Sequence, residues 1–206
     1  MRIVWILNGC GLESGSITGS PIRFQAISSR WQQLAERPEQ TLVTTAGGER
    51  MLRNMGCALP VVRLPASLLL KREPFKAFRL WSYLVTACAS RVLKRRLPQG
   101  EVVMTVSDYF CDVVPALLLK RRPGTRWIAW IHHKERKPAE RPGNRLVNEI
   151  TWRMQEWSFR RIARHADQAW VLDSDAGDEI ALRLKACGMQ PGRIRKMRNG
   201  IDLDAL

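Results

Sequence analysis

With 206 residues the chain is long enough to bury one substantial core, and its 45% hydrophobic and 26% charged residues exclude a disordered, collagen-like or coiled-coil protein. Its 34 Lys and Arg outnumber 19 Asp and Glu for a formal net charge of +15, which calls for an anionic partner without choosing among nucleic acid, lipid headgroups and phosphate-bearing substrates. The cysteines, Cys10, Cys57, Cys88, Cys111 and Cys187, form no CxxC pair, so neither a zinc site nor a disulfide framework is expected, and no apolar run approaches the ~18 residues of a membrane span.

Met1 to Leu7 carries too short an apolar run for a signal peptide, so a cytoplasmic protein with reduced thiols is expected. Ile3 to Leu7 reads as a buried strand that stops at a glycine-rich segment, Asn8 to Ser20. Pro21 then opens a helix whose Phe24, Ile27, Trp31 and Leu34 recur at spacings of three and four, with Ser20 as its N-cap. Thr41 to Thr45 predicts a second strand, Glu49 to Met55 a short helix, and Val61 to Leu64 a third strand. From Phe75 to Arg95 the apolar positions Phe78, Trp81, Val85, Cys88 and Val92 predict a long amphipathic helix closed by Pro98 and Gly100.

Val102 to Val106 supplies strand four, Phe110 to Lys120 a helix, and the continuous apolar run Trp127 to Ile131 a central strand covered on both faces. Lys134 to Asn144 reads as a polar loop, and Leu146, Ile150, Met154, Trp157 and Ile162 line the next helix. Ala169 to Leu172 is strand six, and Ser174 caps a helix from Asp175 to about Ala186 that stops at Gly188. The chain ends with Ile194 to Leu206 and its Asn199-Gly200-Ile201-Asp202 turn. Strands alternating with helices predict an α/β, Rossmann-like, doubly wound and mostly parallel sheet flanked by helices, because parallel strands need crossover helices.

In such a sheet ligands bind beyond the carboxyl ends of the strands. Those ends carry Gly19, Ser20 and Arg23 after strand one, Ser107 and Asp108 after strand four, His132 and His133 after strand five, and Ser174 after strand six. The first loop lacks a G-x-G-x-x-G fingerprint, since Ser14 stands where a third glycine belongs. Such a loop either offers backbone N–H groups and a helix N-terminus to an anion or is a plain surface connection. Of the two adjacent histidines one is expected to face the cleft, because successive strand side chains alternate. Ser174 serves equally well as a simple N-cap.

Four stretches resemble the N-terminal, acceptor-side half of a family 4 glycosyltransferase of the GT-B fold. Gly19-Ser20-Pro21-Ile22-Arg23 is similar to that family's G-G-x-x-R loop, with serine for the second glycine. The strand ending in His132 is similar to its strand-His element, and Ala166 to Ser174 to its A-D-x-hydrophobic-Ser element. Arg198-Asn199-Gly200-Ile201-Asp202 is similar to the P-N-G-V-D turn that closes the first domain, with arginine for the proline.

The resemblance implies a single domain over residues 1–206, with 199–206 beginning an interdomain linker, in an enzyme that transfers a sugar from a nucleotide-sugar donor with retention to a lipid-linked or polysaccharide acceptor. It implies that Gly19 and Ser20 approach the donor phosphates, that Arg23 lies near an anion site, and that His132 contacts the transferred sugar. It implies no cofactor and no metal. The nucleotide pocket belongs to the family's second domain, so this chain is expected to be inactive without that domain in cis or in trans.

The charge is concentrated. Lys71, Arg72, Lys76, Arg79, Arg91, Lys94, Arg95 and Arg96 face a single acid, Glu73, around the helix that carries Trp81 and Leu84. A basic amphipathic helix of this kind suits the inner face of an anionic membrane, and equally a surface whose charges are merely solvated. Lys120, Arg121, Arg122, Arg126, Lys134, Arg136 and Lys137 form a second basic set suited to an anionic acceptor. The alternative to an enzyme is a noncatalytic basic module for anionic membrane, phosphosugar or nucleic acid; no nucleic-acid-binding signature is present.

Overall fold

The computed structural model describes residues 1–9, 19–65, 76–132 and 134–198. Its strands are β1 (Arg2–Leu7), β2 (Glu39–Thr45), β3 (Val61–Leu64), β4 (Val102–Thr105), β5 (Arg126–Ile131), β6 (Gln168–Leu172) and β7 (Ile194–Met197). Its helices are α1 (Gly19–Gln32), α2 (Ala46–Asn54), α3 (Lys76–Val92), α4 (Phe110–Lys120), α5 (Arg145–His165) and α6 (Asp175–Ala186). All seven strands form one sheet in the order β3-β2-β1-β4-β5-β6-β7. Every neighbouring pair is parallel. The chain winds outward from β1 to β3, returns through α3, and winds outward again from β4. The reversal lies between β1 and β4, which is where an open sheet of this kind forms its crevice.

The strands read as unbroken apolar runs because both faces are covered. On one face Ile3, Trp5 and Leu7 join Leu42, Met104 and Trp130 beneath Phe24 of α1 and Leu52 of α2. On the other, Val4, Ile6, Val103, Ala129 and Val171 pack with Val113 and Ala116 of α4, Phe159 and Ile162 of α5 and Ile180 of α6. The indole of Trp5 is fully buried yet satisfied: its Nε1 donates to Gln40 Oε1 at 2.8 Å, and Gln40 Nε2 donates to the Ser28 carbonyl of α1 at 3.1 Å. Strand and helix are thereby fixed in register by a polar bridge inside the core.

The amino ends of the strands are tied by a half-buried clamp. Lys120 Nζ reaches both oxygens of Asp167 at 2.9 and 2.7 Å, and Asp167 Oδ2 accepts the Trp127 N–H at 2.6 Å. Burial raises the Asp167 carboxyl, but these donors outweigh it and hold the group below its ordinary value.

Two features differ from the sequence reading. The segment from Ile194 contains a seventh strand, β7, on the sheet edge beside β6. Helix α3 also turns a different face inward. Leu80, Tyr83 and Ala87 are buried with the small polar residues Ser82, Thr86 and Ser90, while Trp81, Cys88 and Val92 point outward. Small residues let α3 lie close against its neighbours, and two of the hydroxyls find carbonyl partners: Ser90 Oγ donates to the Ala87 carbonyl at 2.7 Å and Thr86 Oγ1 to that of Pro65 at 3.2 Å. Of the predicted apolar positions, Trp81, Cys88 and Val92 therefore face solvent, and Val85 is half-buried. Among the described residues no helix is long and apolar enough to cross a membrane.

At the start of α6 helix and sheet lie in close contact. Ser174 Oγ accepts the Gly177 N–H at 3.3 Å, and a Cβ on Gly177 would sit 1.7 Å from the Leu172 carbonyl oxygen. Gly177→Ala should therefore lower stability by about 2–3 kcal/mol, since the obstacle is backbone that cannot swing aside. A denaturant midpoint equal to wild type would contradict this packing.

Candidate functional site

The carboxyl ends of the strands gather at one rim, and the exits of β1 and β4 are bound together there through the first turn of α4. Asp112 is fully buried and takes three donors: the Asn8 N–H at 2.5 Å, the Gly9 N–H at 3.3 Å, and the Ser107 hydroxyl. Ser107 Oγ in turn accepts the Tyr109 N–H at 3.3 Å and so caps a helix whose own N-cap side chain makes no capping bond. Pro115 has no N–H, which leaves the Cys111 carbonyl without its usual partner four residues on. Asn8 Nδ2 fills that place at 3.0 Å. A proline inside α4 thus has a use: it frees an acceptor that holds the end of β1.

Gly9 is a close-approach position. A Cβ there would lie 2.1 Å from Tyr109 Cδ2, so only glycine lets the chain leave β1 against the Tyr109 ring, which stacks on Tyr83 with centroids 5.4 Å apart.

Burial, the largest influence, raises the Asp112 carboxyl from an ordinary 3.8 to about 7, and the neighbouring Asp108 carboxylate adds to the rise, against the opposing hydrogen bonds from Ser107, Asn8 and Gly9. Asp108 is also buried. Its Oδ2 accepts Gln155 Nε2 at 2.7 Å, and Gln155 Oε1 accepts the Glu135 N–H at 2.7 Å, so α5 pins the loop that follows β5. Glu135 pairs onward with Arg141 at 2.9 Å.

Of the residues expected at the site, Gly19, Arg23 and His132 come together. Gly19 is the first residue of α1, and the Arg23 guanidinium folds back over it, with Nη2 3.7 Å from a Cβ built on Gly19. Arg23 Nη1 lies 2.7 Å from His132 Nδ1. A guanidinium has only donors, so Nδ1 must be the acceptor and the ring proton resides on Nε2. His132 is then neutral, with its ring proton on Nε2. Its orientation is held by Trp130, whose ring centroid is 4.9 Å away.

Arg23 keeps its full positive charge, because its partner is neutral and no carboxylate pairs with it among the described residues. Burial draws its pKa below the ordinary value, though not to neutrality at physiological pH. The result is a half-buried cation beside the N-terminus of α1, an arrangement that favours an anion.

Ser20 sits half-buried in the first turn of α1. Ser107 and Asp108 point inward and hold the rim, while Ser174 at the end of β6 is exposed and caps α6. His133, Lys71, Arg72 and the Asn199–Asp202 turn lie outside the described residues. Asp112, Asn8 and Gln155 were not evident in the sequence, where each looks like a polar interruption of an apolar stretch. An acid four residues after Asp108, in the first turn of a helix otherwise apolar, was the available sign.

No family model matches the chain, and no curated protein matches it by sequence. Solved structures do match. Anabaena HepE in complex with UDP-glucose superposes with a TM-score of 0.55 at 14% identity, over 99% of this chain and 45% of that one. A UDP-glucosyltransferase from Polygonum tinctorium capable of glucosylating indoxyl gives a TM-score of 0.52 at 12% identity, over 97% of this chain and 52% of that one. The likeness is one of fold. The chain spans about half the length of each.

Because the Asp112 pKa is raised on folding, its protonated form stabilises the native state at low pH, and that contribution is lost as pH rises from about 4 toward about 7. Asp112→Asn should remove this dependence, so that its stability relative to wild type improves between pH 4 and pH 7 and is constant above pH 8. Denaturant midpoints across that range that run parallel for both proteins would contradict the assignment.

Proposed function

We propose that this chain is the acceptor-side domain of a nucleotide-sugar glycosyltransferase, with the donor's diphosphate approaching the N-terminus of α1 and the transferred sugar lying against His132. The observation that carries the reading is the Arg23–His132 pair at the carboxyl rim: a guanidinium that no carboxylate pairs with among the described residues, 2.7 Å from the Nδ1 of a neutral imidazole at the end of β5. The cation and the helix end match the charge that develops on a departing nucleoside diphosphate, and an N–H donor matches a sugar hydroxyl. The folds that superpose on the chain give further support, since one was solved with UDP-glucose and another is a UDP-glucosyltransferase.

In this reading the site is half of a cleft. The chain supplies the α1 terminus, Gly19, Ser20, Arg23 and His132, and the second half of the enzyme supplies the nucleotide pocket. The likeness of Gly19–Arg23, His132 and Ala166–Ser174 to family 4 elements favours transfer with retention to a lipid-linked or polysaccharide acceptor. Asp108 and Asp112 have no role as bases here. Both are buried, and they act through the backbone that they hold.

Titration of the two-domain enzyme with UDP-glucose should move the amide resonances of Gly19, Ser20 and Arg23. Arg23→Met should weaken binding about tenfold or more, the scale of a lost charge-assisted hydrogen bond. In the two-domain enzyme His132→Ala should lower kcat by about 10²-fold with the melting temperature nearly unchanged. Perturbations confined to other parts of the sheet, or a His132→Ala protein that loses stability but not turnover, would contradict the proposal.

A further inference from the structure

The opposite end of the molecule carries a second cleft. Helices α3, α4 and α5 enclose a cleft of about 420 Å³ lined by Val114, Leu117, Leu118 and Trp157, with Arg91, Lys94 and Arg121 around it. Arg91 and Lys94 lie at and just beyond the carboxyl end of α3, and Arg121 directly follows α4, so the cleft opens toward the amino-terminal rim of the sheet and away from His132. Its floor is aliphatic and aromatic, and its mouth is cationic.

These cations are not consumed internally. Among the described residues no carboxylate pairs with Arg91, Lys94 or Arg121. Arg122, by contrast, is used within the fold, donating to the carbonyls of Lys94, Leu97 and Pro98. Arg161 lies over the Trp157 ring, 5.3 Å from its centroid, and adds another charge beside the floor. The field is strong enough to act on His165 at the end of α5. Burial lowers that imidazole's pKa first, and Arg164, Arg161 and Arg121 lower it further.

The outward stripe of α3 continues this surface. Leu84 lies two turns before Arg91 on the same line of the helix, and Trp81, Cys88 and Val92 run beside it. Trp81 is 53% exposed, Leu84 39% and Val92 82%. A soluble surface seldom leaves a tryptophan and two large aliphatics in one row, and here the row ends in Arg91, Lys94, Arg95 and Arg96, all exposed.

We propose that the α3–α4–α5 cleft and the outer face of α3 dock the protein on the anionic phospholipid surface of a bilayer, with lipid phosphates at Arg91, Lys94 and Arg121 and acyl chain against Leu117, Leu118 and Trp157. An amphiphile explains both halves of the surface, because its phosphate meets the cations and its chain covers the apolar floor. A nucleic acid would use the cations and leave Val114, Leu117, Leu118 and Leu84 unmatched. The site is remote from the Arg23–His132 pair and independent of the sugar-transfer reading.

The test is sedimentation of the protein with vesicles of phosphatidylcholine alone and of phosphatidylcholine with phosphatidylglycerol. Binding is expected only to the mixed vesicles. The charge reversal Arg91→Glu, Lys94→Glu, Arg121→Glu should weaken it at least about tenfold, and Trp81→Gln with Leu84→Gln several-fold, both with unchanged far-UV spectra and melting temperatures. The altered residues are on the surface, so the variants should fold. Absence of binding to mixed vesicles, unweakened binding by either variant, or displacement from vesicles by single-stranded RNA at equal phosphate concentration would each overturn the proposal. Loss of vesicle binding with UDP-glucose binding intact would mark the two sites as separate.

Discussion

The carboxyl group of Asp112 sits where the winding of the sheet reverses, and the rest of the candidate site hangs from it. It receives the backbone of Asn8 and Gly9 at the exit of β1 and the hydroxyl of Ser107 at the exit of β4. Those strands are neighbours in the sheet, but they are nearly a hundred residues apart in the chain, and nothing local in either sequence would hold their ends together. The carboxyl is stripped of water to do this, and its pKa rises accordingly. A buried polar hub of this kind fixes one arrangement of the loops, since any shift would leave a desolvated acceptor or N–H unpaired.

From that hub the geometry passes outward in two directions. Through Asp108, Gln155 and Glu135 it sets the loop that follows β5, and so the place of His132. Through Gly9 and Tyr109 it sets the direction in which the chain leaves β1 on its way to α1. Arg23 closes the circuit by reaching from α1 to His132. The Arg23–His132 pair is therefore supported on both sides by buried and half-buried groups. This division of labour matches the general rule that precise sites need rigid supports.

Much of the architecture was legible from periodicity. The spans Val61–Leu64, Phe110–Lys120 and Asp175–Ala186 match their predicted limits, because each is bounded by proline, glycine or a capping serine. Strand β7 was not legible: four residues, two of them Arg195 and Lys196, carry too little apolar pattern to announce an edge strand. The inward face of α3 was not legible for a different reason. Burial there is achieved by small residues, Ser82, Thr86, Ala87 and Ser90, whereas the larger apolar residues of the same helix are left outside.

At the site, strand-end logic located Gly19, Arg23 and His132 but could not pair them, since α1 and β5 meet only through the sheet order. It also assigned Ser107 and Asp108 to the crevice without revealing that their hydrogen bonds turn inward. The most direct test of the whole account is the tautomer of His132, read from long-range 15N–1H correlations of its ring at neutral pH. The account predicts an unprotonated Nδ1 and a protonated Nε2, and loss of that preference in Arg23→Met. A ring protonated on Nδ1, or an imidazolium, would mean that Arg23 does not set the histidine, and the site as described would not exist.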